Sequence, residues 1–173
     1  PQHFACALLN SQPMAFYAPS QIVQDLERHG CPAFAPDCAH SSWDCTPEGT
    51  GIRLGLCMVK GLRENEGRAL VAVLHERHDK SSLAALWQSI QKHAPQVTKS
   101  TLMVLARADC FSSLGITRRE ALWQIYGLPE KPETLGISAK ETPVTFVPRK
   151  IDEEMVQDYH TTGLSLRAHP LAL

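Results

Sequence analysis

Gly55-Leu56-Cys57-Met58-Val59-Lys60-Gly61-Leu62-Arg63-Glu64-Asn65-Glu66-Gly67-Arg68-Ala69-Leu70-Val71 runs from an apolar stretch through a tight Lys-Gly-Leu turn into a new amphipathic helix. A glycine in such a turn allows the backbone to approach another molecule closely, and the unpaired N–H groups at the following helix start point toward an anion. Lys60, Arg63 and Arg68 add point charges around the same spot. On this stretch alone, an ordinary helix-helix turn punctuated by glycine is the competing reading, and the more common one.

A second stretch repeats the outline. In Leu105-Ala106-Arg107-Ala108-Asp109-Cys110-Phe111-Ser112-Ser113-Leu114-Gly115-Ile116-Thr117-Arg118-Arg119, Ser112, Ser113 and Gly115 precede a helix start. Thr117 with Glu120 forms a capping box that opens the helix. Arg118 and Arg119 stand in its first turn, where a cation costs the helix about 0.3–1 kcal/mol at exposed sites. A bound phosphate reverses that sign; the competing reading is two solvated arginines near Glu120. Together the stretches outline a tandem helix-hairpin-helix, which holds a duplex by its backbone without reading bases. The candidate DNA-binding set is Lys60, Gly61, Leu62, Arg63, Arg68, Ser112, Ser113, Gly115, Thr117, Arg118 and Arg119.

Helical spacing organises the surrounding chain. Phe4 to Leu9 reads as helix ending before Pro13, and Pro19-Ser20 opens a helix burying Ile22, Val23 and Leu26, with Gly30 as its stop. Cys31 to Gly51 lacks helical periodicity and reads as loop or short extended structure. Ile52 to Leu56 alternates like a short strand, pairing near Phe34. Leu70, Val73 and Leu74 share a face, and Leu83, Leu86, Trp87 and Ile90 form a stripe capped by Ser81 or Ser82. Leu102, Leu105 and Ala106 repeat the pattern, as do Ala121, Leu122 and Ile125. Trp87 and Trp123 are expected in the core. Gly127 to Lys150 carries four prolines and no period, and reads as an extended strap before a short helix from Asp152 to Tyr159.

Composition narrows the function classes. The 173 residues are 43% hydrophobic and 20% charged, enough for one domain with a real core. No apolar run reaches the length of a membrane span, and six cysteines without CxxC pairs point to a cytoplasmic protein. With a formal net charge of -1, DNA binding must come from local clusters and oriented backbone groups. Cys6, Cys31, Cys38, Cys45, Cys57 and Cys110 lack CxxC pairs and read as free, mostly buried thiols. Cys31, Cys38, His40 and Cys45 are too loosely spaced for a structural zinc site, so no metal is expected. The dispersed His75, His78, His93, His160 and His169 offer no arrangement of nucleophile and base, so no catalytic residue is expected.

Five blocks, ALLNSQPMAFYAPSQIVQDLERHG, APDCAHSSWDC, IRLGLCMVKGLRENEGRALV, LARADCFSSLGITRREALWQIYGLP and VQDYHTTGLSLRAHPLAL, resemble in order and spacing the bacterial C-family DNA polymerases of the alpha-subunit type. SQPMAFY, HSSWDC, SLGITRREALWQ and DYHTTGLSLRAHPL are most similar to the error-prone, damage-tolerant branch. The resemblance covers nearly the whole chain and is weakest between Glu130 and Arg149. It implies the stretch between the fingers and the OB domain, without the palm and its catalytic aspartates. Pro1 and the ending HPLAL fit an excised piece. Two positions depart from the pattern: Arg63 stands where a second hairpin glycine is usual, which puts the Leu62 and Arg63 N–H contacts in doubt, and Ala15 replaces a usual glycine. In HSSWDC, Ser41 and Ser42 are either phosphate contacts or turn formers with Trp43 packed beneath.

The expected fold is mainly α: a tandem helix-hairpin-helix domain with a short strand pair and a Pro-rich C-terminal strap. Residues 1–51 read as the end of a fingers-like region, 52–127 as the tandem domain, and 128–173 as a strap leading toward the OB domain. The resemblance implies non-catalytic duplex-DNA binding within a polymerase that uses magnesium and deoxynucleoside triphosphates in lesion bypass and repair. The implied partners are the primer-template backbone, the remaining polymerase domains in cis and accessory mutagenesis proteins, with no membrane. The alternative is an interdomain or protein-interaction module with little DNA affinity, which Glu64, Glu66 and the net charge favour; a spacing domain is a third.

Overall fold

Apolar residues three and four positions apart bury one stripe of each helix, and the stripes meet in two adjoining cores. The computed structural model describes residues 1–13, 17–76, 82–129 and 150–167. Helices α1 (Gln2–Asn10) and α2 (Pro19–Arg28) are followed by strands β1 (Ala33–Phe34), β2 (Thr46–Glu48) and β3 (Gly51–Arg53). Then come α3 (Glu64–Glu76), α4 (Leu83–His93), α5 (Lys99–Arg107), α6 (Arg118–Gly127) and α7 (Ile151–Thr161), with single 3-10 turns at Leu56–Met58 and Ser112–Leu114. The fold is mainly α, as expected. The strap at 130–149, Ala15 and the alternative cap Ser81 lie outside the described residues.

The larger core is helical. Leu70, Leu83, Ile90, Leu102, Leu105 and Ile125 are completely buried, with Trp87 beside them. Ser82 caps α4 by accepting from the Ala85 N–H, and Trp87 Nε1 donates to the Pro129 carbonyl at 2.8 Å. The smaller core joins α1 and α2 to the sheet through Leu9, Val23, Leu26, Ile52 and Leu54. All six thiols are free; Cys57 is half-buried and the other five are buried.

The sheet order is β1-β3-β2, with β3 parallel to β1 and antiparallel to β2. The expected pairing near Phe34 is present as Ala33↔Ile52 and Phe34↔Arg53. The strand ends at Arg53 rather than Leu56, because Leu56 already turns into the 3-10 segment. The third strand, β2, was read as loop or short extended chain; Pro47 suits an outer strand, where one ladder donor is dispensable.

Trp123 is a correction. It is 53% exposed, as is Tyr126 at 64%. The inward stripe of α6 is Arg118, Ala121, Ile125 and Leu128, all buried, which puts position 123 on the other side of the helix. Leu122 is only partly buried. The C-terminal helix also departs from expectation, because it packs back on the domain: Met155 and Leu164 are buried, and Leu164 joins the N-terminal core.

Trp43 is the wedge between the HSSWDC loop and α3, as the packing reading of that loop expected. A Cβ added at Gly67 would lie 2.3 and 2.4 Å from its ring. In an unhindered helix, Gly→Ala stabilises by about 1 kcal/mol. Here overpacking, at about 1–3 kcal/mol, reverses the sign. Gly67→Ala is therefore expected to lower stability in urea unfolding; a stabilised variant would show that Trp43 does not hold this seat.

Candidate nucleic-acid interface

The two hairpins are equivalent at their turns. Gly61 has φ +84° and Gly115 has φ +70°, and a Cβ built on either meets nothing within 4 Å. Both therefore use the left-handed region that favours glycine, with the backbone open to solvent. Leu62 follows Gly61 as Ile116 follows Gly115, and both pack partly on the helical core. The first hairpin enters through one 3-10 turn, Leu56–Met58, rather than a full helix.

Their helix N-termini differ. In the second hairpin the capping box is closed: Thr117 N–H donates to Glu120 Oε2 at 2.7 Å, and Glu120 N–H to Thr117 Oγ1 at 3.3 Å. These hydrogen bonds hold the Glu120 carboxyl below its ordinary value. In the first hairpin the equivalent Glu66 turns away. Its Oε2 accepts from buried Thr101 at 2.8 Å, and its Oε1 faces Arg63 Nη1 at 3.3 Å. The N–H groups of Glu64, Asn65 and Glu66 at the start of α3 meet no acceptor among the described residues. Arg63, at the equivalent place to Thr117, has a side chain 79% exposed. The structure thus leaves the first hairpin open and closes the second.

Ser112 and Ser113 also meet an anion, but an internal one. Ser112 Oγ and Ser113 N–H donate to Asp37 Oδ2 at 3.2 and 3.1 Å. The other oxygen, Oδ1, takes Ala39 N–H at 2.8 Å and lies 3.0 Å from His40 Nδ1. A carboxylate of the same chain thus occupies the Ser112 hydroxyl and the Ser113 N–H.

Lys60 and Arg118 both contact α7, Lys60 while remaining exposed and Arg118 from a buried position. Lys60 N–H donates to Thr161 O at 2.8 Å and its Nζ to Tyr159 O at 3.0 Å, so the hairpin turn caps the C-terminus of α7. Arg118 is not solvated but 4% exposed. Its Nη2 donates to Asp158 Oδ1 at 2.5 Å, and its Nε lies 3.3 Å from Glu154 Oε2. The α7 stripe carrying Glu154 and Asp158 supplies the counter-charge that makes this burial possible. Arg167 joins the group through Asp158 Oδ2 at 3.2 Å and through Asp109, which has φ 58° in the turn before Ser112. Arg68 pairs with Glu64 at 2.8 Å and stacks over Trp43 at 5.9 Å from the ring centroid. Arg119 stands exposed in the first turn of α6.

The pattern for the helix-hairpin-helix motif matches residues 30–121, more than half of the chain, and spans both hairpins. The chain belongs to the helix-hairpin-helix family. Similarity extends along its whole length to error-prone DNA polymerases, as the five sequence blocks implied. Relatives include error-prone DNA polymerase 1 of Agrobacterium fabrum, 40% identical over 195 residues covering 99% of this chain. The error-prone DNA polymerases of Alkalilimnicola ehrlichii and Caulobacter vibrioides are 39% and 35% identical, covering 100% and 99% of the chain. The chain spans only 17–18% of the length of these relatives.

Sequence reasoning missed Asp37, Thr101, Glu154, Asp158 and Arg167 as members of this helix-hairpin-helix unit. Asp37, four residues before Ser41, carried one usable sign: an aspartate opening a turn, here with Ser41 N–H on the Asp37 carbonyl at 2.7 Å. The α7 partners had no local signal, because they act across more than thirty residues of chain.

Burial alone would raise the Asp37 carboxyl, but hydrogen bonds from Ser113, Ala39 and His40 outweigh it and hold the group below its ordinary value of 3.8. A depressed carboxylate stabilises the fold above its unfolded pKa, and the contribution is lost as pH falls through the folded value. Asp37→Asn should lose about 1–3 kcal/mol at neutral pH, since its donors lose a charged acceptor. It should also flatten the acid limb of stability below pH 3.8, measured by urea unfolding across a pH series. An unchanged acid limb would dismiss Asp37 as its source.

Proposed function

We infer that this chain is a non-catalytic, duplex-DNA-binding segment of an error-prone DNA polymerase. The single observation that carries the reading is the pair of equivalent left-handed glycine turns, each open to solvent and each leading into a helix N-terminus. Backbone N–H groups aimed at phosphates need no particular base, which suits an enzyme travelling over any template. The relatives' names add the context of an error-prone DNA polymerase; lesion bypass and repair, in the cytoplasm, are the processes proposed for the protein to which this segment belongs. Accessory mutagenesis proteins and the other polymerase domains complete the proposed partners.

The phosphate grip is stronger at the first hairpin, through Gly61, Leu62, Arg63 and the open start of α3. The second contributes Gly115, Thr117 and Arg119 around an occupied cap. Magnesium and deoxynucleoside triphosphates belong, in this reading, to palm aspartates elsewhere in the polymerase. No group of three or more His, Cys, Asp or Glu among the described residues is placed to hold a metal ion.

The alternative, an interaction module with little DNA affinity, draws on a specific observation: Lys60 and Arg118 are both engaged by α7. Phosphate contacts release counterions and protein docking does not, so salt separates the readings. Fluorescent duplex titrated over a salt series should give a log-log slope of about -0.9 for each of roughly two to four phosphate contacts. Arg63→Glu, at an exposed position, should weaken binding and reduce the slope by about one such contact. Undetectable binding at low salt by the folded chain would overturn the DNA reading and put the interaction module ahead of it.

A further inference from the structure

Segment 150–167 touches both hairpins and the N-terminal core at once. Neighbouring residues of α7 serve different hairpins: the Tyr159 carbonyl takes Lys60 of the first, while the Asp158 carboxylate takes Arg118 of the second. Asp158 also accepts from Ser165 Oγ at 2.8 Å and Arg167 Nε at 3.2 Å. Arg167 in turn reaches Asp109 in the turn leading to Ser112. One carboxylate therefore ties the second hairpin to the helix whose end is capped by the first.

We propose that Asp158 is a positioning residue for duplex binding: the helical core already holds the two hairpins together, and Asp158 locks α7 across them and sets the relative angle at which both meet one duplex. This rests on the DNA-binding reading above. Two grips held in matching geometry gain from the high effective concentration of the second once the first is bound, and the gain falls when that geometry is loosened. The opposite role, α7 as a lid that withholds Lys60 and Arg118 from DNA, fits the burial poorly. Lifting the helix would expose Met155 and Leu164 and strand a guanidinium that is 4% exposed.

The test compares the 173-residue chain with Asp158→Asn and with Arg167→Gln, the milder variant in case the first folds poorly. Duplex affinity is read over a salt series, and amide exchange at Lys60 is read without DNA. The expected result is an affinity loss of about tenfold or more with a log-log slope shallower than the parent value, as the second hairpin engages less often. Lys60 exchange should accelerate in both variants, although neither substitution touches that residue. A merely structural role would lower the binding-competent fraction equally at all salts and leave the slope unchanged, which would overturn the proposal. Tighter binding by the variants would overturn it in favour of the lid, and unchanged Lys60 exchange would show that α7 does not couple the hairpins. Failure of the parent chain itself to bind would remove the DNA reading and the positioning role together. An unchanged slope in variants of a parent that binds removes only the latter.

Discussion

The ion pair between Arg118 and Asp158 is the constraint on which the arrangement of this chain depends. A guanidinium buried without partners is too costly to tolerate, and removing one member of such a pair generally costs more than the pair adds. Arg118 sits at the first position of α6, where its cation also opposes the helix dipole. Its presence there makes sense only with α7 in place, because Glu154 and Asp158 provide the negative charge from outside the helix. Docking of α7 then brings Met155 and Leu164 into the cores and presents its C-terminal carbonyls to Lys60. One charge requirement thus orders a segment separated from the rest by a proline-rich stretch.

A second regularity concerns anions at helix starts. Three such starts in the hairpin region are handled in three ways: Asp37 fills the turn at Ser112 and Ser113, Glu120 closes α6 through the capping box, and α3 keeps its N–H groups open. Glu66 has the position to close α3 but is drawn to Thr101, which lies in a buried contact between α3 and α5. The tertiary partner outcompetes the local cap, and an unsatisfied helix start results at the hairpin that also presents Arg63. The difference between the hairpins is therefore a consequence of packing.

Much of the helical architecture was legible because it rests on local rules. The stripe at Leu83, Leu86, Trp87 and Ile90 and the Thr117–Glu120 box depend only on residues within two turns of one another. The parallel register of Phe34 and Arg53 was legible as a neighbourhood but not in length, because the backbone turns at Leu56 for reasons set by Trp43 and Gly55. A Cβ at Gly55 would lie 2.3 Å from the Trp43 carbonyl, so only glycine permits that turn. Trp123 was misplaced because an apolar residue near a stripe is not necessarily in it, and the buried member at the start of α6 is an arginine. The hairpin turns were readable from Gly61 and Gly115, whereas the occupants of Ser112, Ser113, Lys60 and Arg118 were not. Those occupants come from residues 37, 158, 159 and 161, and no window along the chain contains both partners.

The net charge of -1 need not oppose a backbone grip once the ion pairs are placed. Beyond a Debye length of about 8 Å at physiological salt, distant exposed charges are largely screened. What a phosphate meets is the immediate surroundings of the hairpin. There Glu64 is matched by Arg68 and Glu66 faces Arg63 and Thr101, so the two acidic residues that most favour an interaction module are already locally compensated. Glu154 and Asp158 of α7 are likewise paired with Arg118 and Arg167. Oriented N–H groups at the start of α3 then remain without a hydrogen-bond acceptor among the described residues, on the surface where the Gly61 backbone is open to close approach.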